Sequence, residues 1–311
     1  MRGIGIMGKN VLVIGGSVFT GRVFSIQASK SGEYDLHVVN RGNFPMELDR
    51  VNQYKCDRHS PRMIARMIPD ITYDALIDFC AYTAGEIKPM IDALGGRIKH
   101  YIFFSTAQVY APGNDLPTED ARILDVYGYD SGEEIESARE KIKLERELIE
   151  ACEKTGIKYT ILRPAFIYGP YNYMPRESFL IESIARKHTV PVPVDAAAKF
   201  NFVYVMDIAN ALMACIGNPR AHNEIFNLAG IERITYQQLV SDFERYNTEP
   251  FETREVTVQQ VLEEKIPLPF PLTEDALYNG EKITRTLDFS YTPFSEGMEK
   301  TFKIFYSLFT T

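Results

Sequence analysis

Cysteine is scarce in this 311-residue chain: only Cys56, Cys80, Cys152 and Cys215 occur, and no two form a Cys-x-x-Cys pair. Such spacing suits neither a zinc site nor a disulfide framework, so four reduced thiols in a cytoplasmic protein are expected. Long hydrophobic runs are missing too, and nothing approaches the ~18 apolar residues that span a bilayer. The first ten residues, MRGIGIMGKN, lack the charged region, apolar core and cleavage site of a secretory signal. Met7 is a second candidate start. Basic charge is in deficit: 34 Lys and Arg against 42 Asp and Glu leave a formal −8. Nucleic acid and anionic membrane both require a basic face, so neither is an expected partner. There is no internal repeat or low-complexity tract. With 45% hydrophobic and 24% charged residues, the composition excludes a disordered, collagen-like or small disulfide-stapled chain.

What is present is an alternation of bare apolar runs with amphipathic stretches. Val11–Ile14, Leu36–Val39, Ala75–Ile77, Tyr101–Phe104 and Tyr159–Leu162 are each spaced to admit a crossover helix. Bare strands separated by helices mean a parallel sheet covered on both faces. The expectation is therefore an α/β, Rossmann-like, doubly wound parallel sheet. The clearest helix runs from Ser137 to Cys152, where Ala138, Ile142, Ile149 and Cys152 share one face and Gly156 supplies a stop. Phe200–Val205 and Glu224–Leu228 look like later strands that complete the sheet. Pro191–Pro193 and Pro267–Pro271 mark loops.

The first strand runs into Gly15-Gly-Ser-Val-Phe-Thr-Gly21, the opening of a dinucleotide-binding βαβ unit. The first glycine permits a tight turn and the last lets helix and strand pack closely. The helix N-terminus offers amide donors and a positive dipole end to a pyrophosphate. Val18 stands where a middle glycine normally lets the phosphates approach. At the end of the second strand an acid would bind the ribose of NAD, but the sequence reads Asn40-Arg41. The arginine tilts the cofactor modestly from NAD towards NADP.

Three further segments are specific. Phe103-Phe-Ser-Thr-Ala-Gln-Val-Tyr110, Leu162-Arg-Pro-Ala-Phe-Ile-Tyr-Gly-Pro170 and Phe202-Val-Tyr-Val-Met-Asp-Ile-Ala209, with the glycine loop, resemble the extended short-chain dehydrogenase/reductases in their NAD-dependent epimerase/dehydratase branch. Asn40-Arg-Gly42 with Cys56-Asp-Arg58 is similar to a subgroup that includes chloroplast stem-loop-binding proteins. The resemblance implies hydride transfer between a nicotinamide and a sugar carbon, usually on a nucleotide-linked sugar. It implies cofactor contacts from Gly15, Gly16, Ser17, Val18, Phe19, Thr20 and Gly21, then Asn40, Arg41, Asp57 (at the adenine), Arg58, Cys80, Ala81 (over the ribose), Lys141 and Pro164. It divides the chain into a cofactor domain over 7–168, its sheet completed by about 200–230, and a smaller mixed substrate-binding region over 169–199 and 231–311. A homodimer through the Ser137 helix would also fit it.

In such enzymes a tyrosine acts as base, a lysine four residues later lowers its pKa, and a Ser or Thr orients the substrate oxygen. By position Thr106 matches that last role, with Ser105 as second choice, and Lys141, followed by Glu145, matches the lysine. The residue four before Lys141 is Ser137, so the tyrosine is missing. A serine hydroxyl is far too weak an acid to replace a phenol. Tyr82, Tyr127 and Tyr129 are candidates to stand in. One Tyr-x-x-x-Lys does occur, Tyr278 to Lys282, but it is expected to lie far from the nicotinamide. The five histidines show no metal spacing, and Asp78, inside an apolar run, reads as a hydrogen-bonded structural carboxylate. The leading expectation is an NAD(P)-dependent epimerase, dehydratase or reductase with an altered proton donor. A dinucleotide-binding sensor without chemistry is the alternative, and an RNA-binding role, opposed by the acidic charge, comes third.

Overall fold

The computed structural model describes residues 8–128 and 132–311. Tyr129, one of the stand-ins for the missing base, lies outside the described residues. Seven strands form one sheet in which every neighbouring pair is parallel. In chain order they are β1 (Lys9–Ile14), β2 (Tyr34–Asn40), β3 (Val51–Lys55), β4 (Ala75–Asp78), β5 (His100–Phe104), β6 (Lys158–Pro164) and, after three strands outside the sheet, β10 (Glu224–Leu228). The spatial order is β10-β6-β5-β4-β1-β2-β3. It reverses between β1 and β4, where open α/β sheets bind ligands beyond the strands' carboxyl ends.

Strand side chains alternate between two apolar layers because successive residues point to opposite faces. Val11 and Val13 of β1 enter one buried cluster, Leu12 and Ile14 the other. The first layer is covered by α1 (Phe19–Ser31) packed on α6 (Val205–Cys215). The second is covered by α2 (Pro61–Met67), α3 (Lys88–Leu94) and α4 (Glu133–Thr155). Helix α4 is longer than the apolar period suggested, because Glu133, Glu134 and Glu136 suit the positive dipole end of a first turn. It ends on Gly156, whose φ of 77° allows the left-handed cap.

After Pro164 the chain leaves the sheet. Strand β7 (Phe166–Tyr168) pairs with β9 (Phe202–Tyr204), and β8 (Thr189–Pro193) pairs with β11 (Glu252–Val256). This corrects one expectation: of the two later strands, only β10 joins the main sheet. Strand β9 is three residues long and turns directly into α6. The edge strand β3 gave no apolar signal, since three of its five residues are exposed. Helices α5 (Glu177–Lys187), α7 (Tyr236–Tyr246), α8 (Val258–Glu263), α9 (Glu281–Thr286) and α10 (Phe294–Thr310) complete the fold. No described helix is long and apolar enough to cross a membrane.

One buried ion pair joins the layers. Arg163 on β6 donates to Glu145 on α4 at 2.6 and 3.0 Å, with both side chains about 5% exposed or less. Ser105 also donates to Glu145 (2.5 Å), while Arg163 reaches the Tyr110 hydroxyl, which donates in turn to Asn227 on β10. Removing one partner strands a buried charge, at a cost of about 3–5 kcal/mol, whereas removing both can be nearly neutral. Glu145→Leu should therefore lower urea stability by that amount, and the double variant with Arg163→Met should recover most of it. A double variant as unstable as the single one would show that the pair is not what sets the cost.

Candidate active site

The glycine loop crosses the carboxyl end of the sheet at its switch point. Gly15 and Gly16 have φ of 102° and 77°, a region that side chains disfavour. A Cβ on Gly21 would lie 2.6 Å from the Gly16 Cα, so this glycine permits the close packing of α1 on the loop. Val18 is extended (φ −131°) and 39% exposed. Its position has no conformational need for glycine, and the valine narrows the approach from solvent alone. No side chain caps the N-terminus of α1, so its first amides remain available to an anion. Two buried nitrogens near this loop and the end of β2, Arg22 Nε and Asn40 Nδ2, have no partner. An open helix start, a glycine cradle and these unmatched donors fit a dinucleotide.

At the end of β2, Asn40 is buried and its Oδ1 accepts from the Gly42 amide, while Arg41 is exposed. Asp57 accepts from the backbone and ring of His59. Arg58, which the resemblance implied as a cofactor contact, is held from inside the protein. Its guanidinium is committed to Asp78 at 2.7 Å and Glu86 at 2.5 Å beneath the surface. Asp78 is fully buried and also accepts from the Tyr101 hydroxyl and the Cys80 amide.

Lys141 lies under the ends of β4 and β5. Its Nζ donates to the Ala81 carbonyl at 2.8 Å and the Phe104 carbonyl at 2.9 Å, and sits 5.0 Å from the centre of the Tyr82 ring. Burial lowers its pKa to about 8, partly offset by the carboxylates of Asp78 and Glu145. Tyr82 is 61% exposed, yet desolvation pushes its phenol upward. Burial likewise raises the Cys80 thiol to about 11, which leaves it protonated. The Tyr82 loop hangs from α4: Glu140 accepts from the Ala84 amide, and Glu147 from those of Gly85, Ile87 and Lys88. Ser137 is exposed one turn before Lys141, and Tyr127 is 87% exposed.

Two residues beyond β5, Thr106 opens a cleft of about 140 Å³ lined also by Gln108, Pro164, Phe166, Arg176 and Tyr278. Thr106 Oγ1 accepts from the Gln108 amide and leaves its own proton unshared. Ser105 is buried, and its hydroxyl is spent on Glu145. Tyr278 stands close to Thr106. It lines the same cleft as Thr106, where Asn201 grips its backbone on both sides and Tyr110 packs against its ring. Arg176 escaped sequence reasoning altogether, its one signal being its place just after the Tyr168-Gly-Pro170 signature. Among the described residues, no cluster of three or more His, Cys, Asp and Glu side chains could hold a metal.

The model of the NAD-dependent epimerase/dehydratase family matches residues 88–229. The chloroplast stem-loop binding protein of 41 kDa b from Arabidopsis thaliana is 28% identical over 74% of this chain and 61% of its own length. UDP-glucose 4-epimerase from Vibrio cholerae is 22% identical over 51% of this chain and 47% of its own. The chain thus spans less than two thirds of either relative. An epimerase from Methanothermobacter thermautotrophicus superposes with a TM-score of 0.76 at 17% identity, over 97% of this chain and 94% of that one. UDP-glucuronic acid 4-epimerase from Bacillus cereus, solved with UDP-glucuronic acid and NAD, gives 0.73 at 15% identity, over 96% and 99%. At such identities these two structures speak for the fold. Residues 88–229 of this Rossmann-like fold are thus similar to the NAD-dependent epimerase/dehydratase family.

Proposed function

We propose that the protein is an NAD(P)-dependent oxidoreductase of the epimerase/dehydratase kind, acting on a nucleotide-sugar-like substrate with an altered proton carrier. The observation that carries this reading is Lys141, whose buried ammonium is tied to the last carbonyl of β5, two residues before Thr106. Gly15–Gly21 and the start of α1 would hold the pyrophosphate, Asn40 and Arg41 the adenosine side, and Ala81 and Pro164 the inner face. When bound, the nicotinamide would accept and return a hydride. Thr106 offers its free proton to a substrate oxygen. Residues 169–199 and 231–311 supply the other wall of the substrate site.

Lys141 takes over the proton in this reading. A carrier works best with a pKa near the working pH, and about 8 meets that condition. Tyr82, its phenol pushed upward, acts as a donor over the Lys141 side chain and not as the base. A second reading, a cofactor-binding sensor without chemistry, is favoured by the serine at position 137. Activity on UDP-linked hexoses decides between them. For an active enzyme, the rate should rise through about pH 8 and vanish in Lys141→Met. Tyr82→Phe should keep at least a tenth of it. Ser137→Tyr should raise turnover or leave it unchanged, as it restores a phenol one turn from Lys141. Loss of all activity in Tyr82→Phe with cofactor binding intact would make Tyr82 the carrier instead.

Calorimetric titration should show NADP(H) binding modestly tighter than NAD(H), and Arg41→Ala should erase the difference. Equal affinities in the parent protein would remove the argument from Arg41, and no binding of either would end the oxidoreductase reading.

Lys141 also leaves a mark on stability. Its pKa is depressed from 10.5 to about 8 in the folded state, so between those values the unfolded chain holds more protons and stability rises with pH. Relative to Lys141→Met, the parent protein should gain on the order of 2–3 kcal/mol across that window. Urea melts of both proteins at pH 7.5, 8.5 and 9.5 measure the difference. A constant difference would mean that the ammonium is not desolvated.

A further inference from the structure

The Thr106 cleft holds donors without matching acceptors. The guanidinium of Arg176 lies 5.4 Å from the centre of the Phe166 ring and makes no hydrogen bond or ion pair with any described residue. The ring attracts the cation and leaves its five N–H donors unused. The Tyr278 hydroxyl and the Gln108 side chain are likewise without hydrogen bonds among the described residues, and the Thr106 proton is unshared. No carboxylate lines the cleft. The nearest ones are accounted for: Glu177 is buried and accepts from the Gly169 amide and Asn172, and Glu134 is exposed on the first turn of α4. Desolvation is the main influence on Arg176 and lowers its pKa, and burial pushes Tyr278 up to about 12, so the phenol remains a proton donor at neutral pH.

A largely desolvated cation with no hydrogen-bonded counter-charge, attracted by Glu177 and Glu134 only through space, is costly to keep. In a cleft lined by no carboxylate, the group that repays that cost is an oxyanion. At about 140 Å³ the space is well below the ~300–1,000 Å³ of a pocket for a whole ligand. It fits one compact acidic group beside the reacting carbon.

We propose that Arg176, helped by Tyr278, is an oxyanion seat that receives an acidic group of the substrate, a carboxylate or a phosphate, next to Thr106. This rests on the reading of the Thr106 cleft as the substrate site. It makes Arg176 a specificity-determining residue that discriminates acidic substrates from their neutral counterparts.

Calorimetric titration of the full chain with glucuronate, inorganic pyrophosphate and glucose tests it. At least one of the two anions should bind the parent protein, and more tightly than glucose. Glucuronate alone would mark a sugar carboxylate as the natural group, and pyrophosphate alone a diphosphate. Arg176→Gln should weaken the bound anion at least tenfold, Arg176→Lys should recover part of the loss, and Tyr278→Phe should cost about threefold. NAD titration of each variant checks that the fold and the glycine loop are intact. The seat is overturned if neither anion binds the parent protein, or if Arg176→Gln binds within twofold of it. Anion binding without any NAD binding would leave the seat standing and remove the oxidoreductase reading.

Discussion

The ion pair between Glu145 and Arg163 fixes helix α4 against the sheet, and the candidate site depends on that register. Lys141 lies one turn before Glu145 on the same helix face. When Arg163 of β6 seats Glu145, Lys141 arrives under the carbonyl ends of β4 and β5. The same guanidinium reaches Tyr110, against whose ring Tyr278 packs. A single buried charge pair thus aligns a helix, two strand ends and a segment from the C-terminal third of the chain. Such pairs contribute little net stability, but a partner that fails to arrive is penalised heavily.

Much of the sheet was legible because its central strands are bare apolar runs, and the match between residue pattern and buried layer is direct for Val11–Ile14 and Ala75–Ile77. Strand β3 was not legible, since an exposed edge needs no apolar run. Phe202–Tyr204 misled for the opposite reason: a short apolar run looks the same whether it joins the main sheet or a two-stranded ribbon. In the site, the glycines were readable from their spacing after a strand, and Lys141 from the family resemblance. Arg176 and Tyr278 were not, because their meaning lies in which side chains they fail to meet, and that depends on tertiary folding. Arg58 shows the converse, an arginine next to a family-like motif whose charge is consumed by Asp78 and Glu86.

The chain carries a formal −8, yet its candidate site is lined with cationic and donor groups: Lys141 and Arg176 with the hydroxyls of Thr106 and Tyr278. The surplus of acids lies elsewhere, much of it on exposed helix faces where pairs such as Lys154 with Glu150 and Lys300 with Glu296 are worth little individually. Overall charge therefore describes long-range steering, and the desolvated site sets which local groups are recognised.

The four amides that α4 carboxylates hold in the segment after Tyr82 have a mechanical consequence. Glu140 and Glu147 flank Lys141 on the helix, so the loop over the lysine and the lysine itself are fastened to one rod. The distance between Tyr82 and Nζ is then set largely by that rod. A ligand arriving beside the pair would meet that geometry already formed. A clamp with one rigid jaw can widen for entry and close again without having to rebuild its working surface.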